Sequence, residues 1–247
     1  MAWLSPAGAI VNRAHPWRSA GRTVQGKRRA RNEDGFLDCP QRGCWAVADG
    51  MGGHHAGNVA SQRVVSSLAA LPGQGSFDQR VEAVQRCLRG LDSQLQAADG
   101  LARVMGSTVV VLLLERDRAA CIWAGDSRCY LWRGQRLYQL SRDHSLQQQL
   151  MDKQHVSLEL ARAHPDARAL TRAIGAGKPL SLEILELRPH PGDVFLLCSD
   201  GLYQGLSHRE LGCAMNAGTP GQVVERLFSD VLRGPALDDL TAVVVQP

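Results

Sequence analysis

No stretch of this sequence holds the roughly 20 consecutive apolar residues of a membrane-spanning helix, so no membrane insertion is expected. Among its seven cysteines no two have Cys-x-x-Cys spacing, and an odd number cannot all pair. Several stand inside apolar runs (AACIWAGDS, VFLLCSDG) and read as free buried thiols in a reducing compartment, not as a disulfide or zinc framework. Charge of one sign is scarce too. With 28 basic against 24 acidic side chains the net charge is +4, too small an excess to argue for a nucleic-acid partner. Internal repeats and low-complexity segments are absent, and nothing in the composition suggests disorder, collagen or a coiled coil. Nucleotide-binding glycine motifs fail on spacing. In DGMGGHHAG, His55 stands where G-x-G-x-x-G needs its third glycine, and in RAIGAGKP, Arg172 holds the first glycine position of a P-loop.

What is present, 247 residues of which 44% are hydrophobic, suits one large globular domain or two small ones, and no linker long enough to separate two is seen. The opening MAWLSPAGAIVNRAHPWRS lacks the basic start and apolar centre of a signal peptide. Residues 1–18 are therefore expected to be a loose tail and 19–247 a single domain, cytoplasmic and monomeric. Short strand-like runs are GRTVQ, GFLD, CWAVAD, STVVVLLLE, AACIWAG, RCYLWRG, RLYQL, VFLLCSD and LTAVVVQ. Helical spacing links Ala60, Val64, Leu68 and Leu71, and again Val81, Val84, Leu88, Leu91 and Leu95. The turn at Gly73–Ser76 makes these two helices an antiparallel pair. Shorter helices are expected around Ser145–Met151, Ser207–Ala214 and Gly221–Leu232. Strand and helix do not alternate regularly, so antiparallel sheets with helices outside fit better than a doubly wound parallel sheet.

The chemistry lies at strand ends. Acids flank apolar strands in RNEDGF (Glu33, Asp34), VADGMGG (Asp49), CSDGL (Asp200) and LDDLTAVVV (Asp238, Asp239), and Asp126 sits in the turn of WAGDSRCYL. Any one of these alone is more simply an ordinary turn. If they converge, so many like charges need a counter-charge. Oxygen donors without Cys or His favour hard divalent ions, Mg²⁺ or Mn²⁺. Two such ions can acidify a water for in-line attack on phosphorus.

The ordered set RRARNEDGF, VADGMGGHHAG, GSTVVVLLL, WAGDSRCYLWRGQRLYQLSRDHS, LTRAIGAG, LLCSDGL and DDLTAVVV resembles the bacterial branch of the metal-dependent protein phosphatases, the protein phosphatase 2C family. The resemblance runs from about Ser19 to Gln246. It implies an α+β fold: a four-layer α-β-β-α sandwich of two antiparallel sheets, each flanked by an antiparallel helix pair. It implies two Mn²⁺ or Mg²⁺ ions at one edge, with a third, weaker ion in bacterial members, and hydrolysis of phosphoserine and phosphothreonine in proteins. By position, Asp49 resembles the carboxylate bridging both metals and Gly50 the carbonyl ligand of one. Asp200 and Asp238 match ligands of the other, Glu33 and Asp34 match acids holding metal-bound waters, and Asp126 matches a ligand of the third metal. Arg29 matches the arginine that grips the substrate phosphate, for which its fork of donors is suited. The implied catalytic set is Arg29, Asp49 and Asp200, and the implied partners are phosphorylated proteins and a cognate serine/threonine kinase. NEDGFLD…WAVADGMGGH looks somewhat like the subgroup regulating type VI secretion.

Three places depart from the family or stay open. Met51 stands where animal members carry a histidine proposed as general acid, and methionine cannot donate a proton. His54 and His55 read more simply as loop or helix-start residues than as that acid. Asp239 replaces the asparagine usual in the last motif, with its role undecided. His144 is expected to be structural, beside a helix start at Ser145. The segment 146–172 corresponds to the family's mobile flap. Alternative readings are a catalytically weak relative that only binds phosphoproteins, against which the filled acid positions speak, and a phosphatase acting on an anti-sigma factor or a small phosphoester.

Overall fold

The computed structural model describes residues 17–52, 56–98, 105–177 and 179–247. Eleven strands and seven helices are assigned among them. One sheet has the order β1 (Arg18–Val24), β11 (Leu240–Gln246), β10 (Val194–Cys198), β7 (Arg128–Arg133), β8 (Arg136–Gln139). The other runs β2 (Asp34–Cys39), β3 (Cys44–Met51), β5 (Val109–Glu115), β6 (Arg118–Ala124), β9 (Glu183–Leu187), with the short β4 (Gly106–Ser107) also paired to β3. Every pairing is antiparallel. Arg18 already pairs with Gln246, so β1 begins inside the segment expected to be a tail.

Side-chain alternation builds the layers. In β3, Trp45 and Val47 face the other sheet, where they meet Phe195, Leu197, Val243 and Val245. Ala46 and Ala48, one residue out of step, face α1 (Ala56–Ala69) and α2 (Phe77–Ala98). In β11, Ala242 and Val244 likewise face away from the sheet interface, into a cluster with α5 (Asp200–Gln204), α6 (His208–Met215) and α7 (Pro220–Leu232). The result is helices, sheet, sheet, helices, the four-layer sandwich the resemblance implies. The stripe Val81, Val84, Leu88, Leu91, Leu95 is buried as its spacing predicts. Each such Leu or Val contributes roughly 1.5–3 kcal/mol of burial. Ser207 and Thr219 close capping boxes with Glu210 and Gln222 and so set the starts of α6 and α7.

Between β8 and β9 the chain forms α3 (Leu146–Gln154) and α4 (Leu158–Ala163). Backbone bonds Leu146 N–H to Ala169 (2.8 Å) and Gln147 N–H to Ala167 (2.8 Å) close this expected flap segment on itself. All seven cysteines are free; Cys44, Cys121, Cys129 and Cys198 lie in the core, as apolar surroundings predict, and Cys213 is exposed. No helix among the described residues is long and apolar enough to cross a membrane.

Candidate active site

Strand register alone gathers the acids at one end of the sandwich. Asp34, opening β2, is opposite Asp49 near the end of β3. The start of β5 meets the end of β6, where Val109 faces Ala124, and Asp126 follows two residues later. The end of β10, at Cys198, faces Arg128 of β7 and Ala242 of β11, which brings in Asp200 and the segment of Asp238 and Asp239. Val24 at the end of β1 faces Leu240, so the loop carrying Arg29 and Glu33 leaves at the same end. Every site residue expected from the sequence is therefore at this edge.

Five of these groups, Glu33, Asp34, Asp49, Asp126 and Asp200, hold their protons more tightly than ordinary carboxyls. Burial and the neighbouring Asp34, Asp200, Asp126 and Asp238 push Asp49 well above the ordinary carboxylate range. Burial, with Asp239 and Asp200 nearby, pushes Asp34 up to about 7, although Ser199 Oγ and Thr241 Oγ1 each donate to its Oδ2 at 2.7 Å. Asp126 is likewise pushed up to about 7 by burial and by Asp200 and Asp143. Asp200 is raised by burial and by Asp238, and Glu33 by burial. Two guanidinium groups act on these acids: Arg168, which lowers the Asp200 pKa, and Arg29, whose Nε donates to Asp238 Oδ1 at 2.7 Å. Its guanidinium proton is held still more firmly by that bond, and Asp239 and Asp49 add to the effect. Arg29 remains partly open to solvent, at 44% of its side-chain surface.

The backbone around the acids is fixed tightly. The Gly50 N–H bonds to the Glu33 carbonyl (3.1 Å), and a Cβ on Gly50 would lie 2.1 Å from the Gly57 oxygen. Only glycine admits that approach between β3 and the start of α1. The Asp49 carbonyl accepts from Thr108 N–H (2.8 Å) and Ser107 Oγ (3.1 Å), and the Asp49 N–H donates to Thr108 Oγ1 (3.0 Å). Asp239 receives an assignment here. Its Oδ1 accepts from Gly26 N–H and its Oδ2 from Glu33 N–H, both at 2.8 Å, so it ties the Arg29 loop to β11. Tyr203 OH donates to the Asp126 carbonyl (3.1 Å). Sequence reasoning missed Ser107, Thr108, Ser199, Tyr203 and Thr241, although GST, CSDG and DDLT place most of these hydroxyls beside the acids.

His144 is 6% exposed and lies behind the Asp126 turn. Its Nδ1 accepts from Gly125 N–H at 3.1 Å, and its Nε2 is 3.2 Å from Glu183. Burial and Arg172 lower its pKa. Ser145, not His144, caps α3. Met51 pairs with Gly106 and packs on it. His54 and His55 lie outside the described residues.

The donor set suits hard divalent ions: oxygen only, acidic and short of counter-charge. Among the described residues no three His, Cys, Asp or Glu side chains form a ready-made cage. Mg²⁺-like ions keep several waters and need only one or two carboxylates each, which this edge supplies.

A model of the protein phosphatase 2C family matches residues 25–235. The chain is 34% identical over 231 residues to the serine/threonine protein phosphatase PstP of Mycobacterium tuberculosis, covering 92% of this chain and 44% of that protein. It thus spans less than half the length of that relative. It is 30% identical over 236 residues to the protein phosphatase PhpP of Streptococcus pneumoniae, covering 90% and 94% of the two. Among solved structures, PppA, described as a key regulatory component of the type VI secretion system in Pseudomonas aeruginosa, aligns with a TM-score of 0.87 at 40% identity, covering 93% of this chain and 97% of that one. The catalytic domain of PstP in complex with two manganese ions aligns with a TM-score of 0.80 at 31% identity, covering 93% and 97%.

Proposed function

The chain belongs to the protein phosphatase 2C family, and from that premise we propose that it hydrolyses phosphoserine and phosphothreonine monoesters in proteins. One observation carries this reading: Asp49 is crowded by Asp34, Asp126, Asp200 and Asp238, with Arg29 beside them. Such an edge attracts cations and places the Arg29 guanidinium fork beside them for an anion. Asp49, the Gly50 carbonyl, Asp200 and Asp238 would hold two Mn²⁺ or Mg²⁺ ions, Glu33 and Asp34 would orient their waters, and Asp126 would serve a third ion. When bound, the ions supply Lewis acidity that polarises the phosphate and acidifies water.

The chain's own groups do the rest. Arg29 donates to the phosphate oxygens, which requires it to exchange Asp238 for substrate. Asp34 is held in one orientation by two hydroxyl donors, Ser199 and Thr241, and its carboxylate can accept a hydrogen bond from a water. Ser107 and Thr108 hold the Asp49 backbone, so that its carboxylate is aimed without reorganisation. The partner is a serine/threonine kinase whose products this enzyme reverses in the cytoplasm. The likeness to PppA supports a place in type VI secretion control.

The test is p-nitrophenyl phosphate and phosphothreonine-peptide turnover with Mn²⁺, with Mg²⁺ and with EDTA. Turnover that needs the divalent ion is expected. Turnover indifferent to EDTA, or none with either ion, overturns the reading.

A further inference from the structure

We propose that a basic trough along β7 and β8 docks an acidic, extended segment of the phosphoprotein substrate, about four to seven residues from the phosphorylated side chain at 3.3 Å per residue. The proposal rests on the phosphatase reading and specifies the substrate's chemistry. A cavity of about 690 Å³ begins at Asp126 in the cleft and extends over Tyr130 and Gln139. A second, of about 430 Å³, lies over Trp132 and Leu137, and the two share His208 at the start of α6. Tyr130 is paired with Gln139 and Trp132 with Leu137, so these are successive pairs on one face of the same ribbon. The cavities are therefore consecutive stations leading away from the cleft. Arg128 to Trp132 alone spans roughly 13 Å of strand.

Beyond Asp126 and Asp143 at the cleft end, the charged side chains along this path are basic. Arg162 and Arg168, both exposed, line the first cavity, and Arg136 and Arg209, both exposed, line the second. None of these four has an acidic partner within ion-pair distance among the described residues. The acids of the first cavity are otherwise engaged: Asp143 binds Arg128 at 2.8 and 2.6 Å, and Asp126 belongs to the cleft. No acid lines the second cavity. Complementarity selects an anionic segment.

Its backbone is selected as well. β8 is the edge strand of its sheet, and four consecutive residues, Gln135 to Tyr138, border the second cavity. An extended peptide can pair with such an edge. Gly212 keeps the apolar floor open, since a Cβ there would come 3.1 Å from the Trp132 ring. Trp132 and Leu137 supply that floor. Together they suit one apolar side chain among the acidic ones.

The test uses the full chain with Mn²⁺ and matched phosphothreonine peptides that carry Glu or Gln at the stated positions, placed before or after the phosphothreonine in separate peptides. Exposed ion pairs are individually weak, so the wild type is expected to favour one Glu peptide by about fivefold in kcat/KM at low salt. Arg136→Glu combined with Arg209→Glu should abolish the preference, the two Lys replacements should keep it, and p-nitrophenyl phosphate turnover should not change. Equal kcat/KM for Glu and Gln peptides in the wild type, or a preference that survives charge reversal, overturns the trough. If no phosphoester is hydrolysed at all, the phosphatase reading fails separately. Fluorescence anisotropy of the labelled Glu peptide then decides: binding weakened by charge reversal supports the trough, and unchanged or absent binding overturns it.

Discussion

Strand β10 has an aspartate beyond each end, and the fold treats the two oppositely. Asp193, just before it, is 2% exposed and fully matched. Arg133 donates to both its oxygens at 2.8 and 2.6 Å, and His190 N–H adds a third bond at 2.7 Å. Asp200, just after it, has no basic partner at ion-pair distance: it accepts from Gln204 (2.6 Å), shares a hydrogen bond with Asp49, and lies near Asp238, which helps hold its proton on. Asp92 repeats the first pattern elsewhere, accepting from Gly175 and Leu180 N–H at 2.7 and 3.2 Å. A buried carboxylate given its own donors is a fastening of the fold. A group of them left short of donors is charge reserved for a ligand.

Substitution should separate the two ends most sharply. Asp49→Asn or Asp200→Asn should lower phosphatase kcat by roughly 10³-fold or more while leaving the melting curve cooperative, because a lost charge here removes transition-state stabilisation. Asp193→Asn should leave kcat within about threefold and instead cost roughly 3 kcal/mol in denaturant unfolding, because Arg133 loses its buried partner. Full activity in the cleft variants, or inactive but fully stable Asp193→Asn protein, would erase the distinction. Arg29→Ala should lower kcat/KM by about 10²-fold, with Arg29→Lys between the two, as expected where a fork is exchanged for a point charge.

Ligand binding should sharpen the same contrast. Mn²⁺ at about 100 times its Kd should stabilise wild type and Asp193→Asn alike by about 2.7 kcal/mol in thermal unfolding, and Asp49→Asn far less. The smallest effect concerns pH. The native carboxyl of Asp34, raised to about 7, keeps a proton that the unfolded chain releases near its ordinary value of 3.8. The folded state thus binds more protons across that window, and metal-free stability falls as pH rises through it. Between pH 5 and 7.5 the wild type should lose about 2 kcal/mol relative to Asp34→Asn. An identical pH dependence of the two would show that the crowding at Asp34 carries no energy.

Much of this was legible in sequence, for reasons that differ by element. Nine strands announced themselves as apolar runs, and α2 by its five-residue stripe. β9 escaped because it is an edge strand whose Glu183 and Glu186 dilute the pattern, with its middle exposed. The helices α4 and α5 are six and five residues long, too short to display a helical period. The acids were legible as strand-end residues, and the family likeness supplied their roles. Asp239 was not, since adjacent residues at a strand start point to opposite sides and only the register shows Asp239 turned inward to Gly26 and Glu33 while Asp238 meets Arg29. The hydroxyls of Ser199 and Thr241 were invisible for the same reason: both reach Asp34 across about 165 or more residues of sequence.

Calorimetric titration of Mn²⁺ into metal-free protein at pH 7, in two buffers of different protonation enthalpy, tests the reserved-charge reading directly. Saturable binding with net release of protons is expected, because Asp34 and Asp126 titrate near 7 and must give up their protons to the ion. Asp49→Asn should lose both the heat and the proton release. No binding by the wild type in the millimolar range, or binding unaltered by Asp49→Asn, would mean that these acids are not held in reserve for a cation.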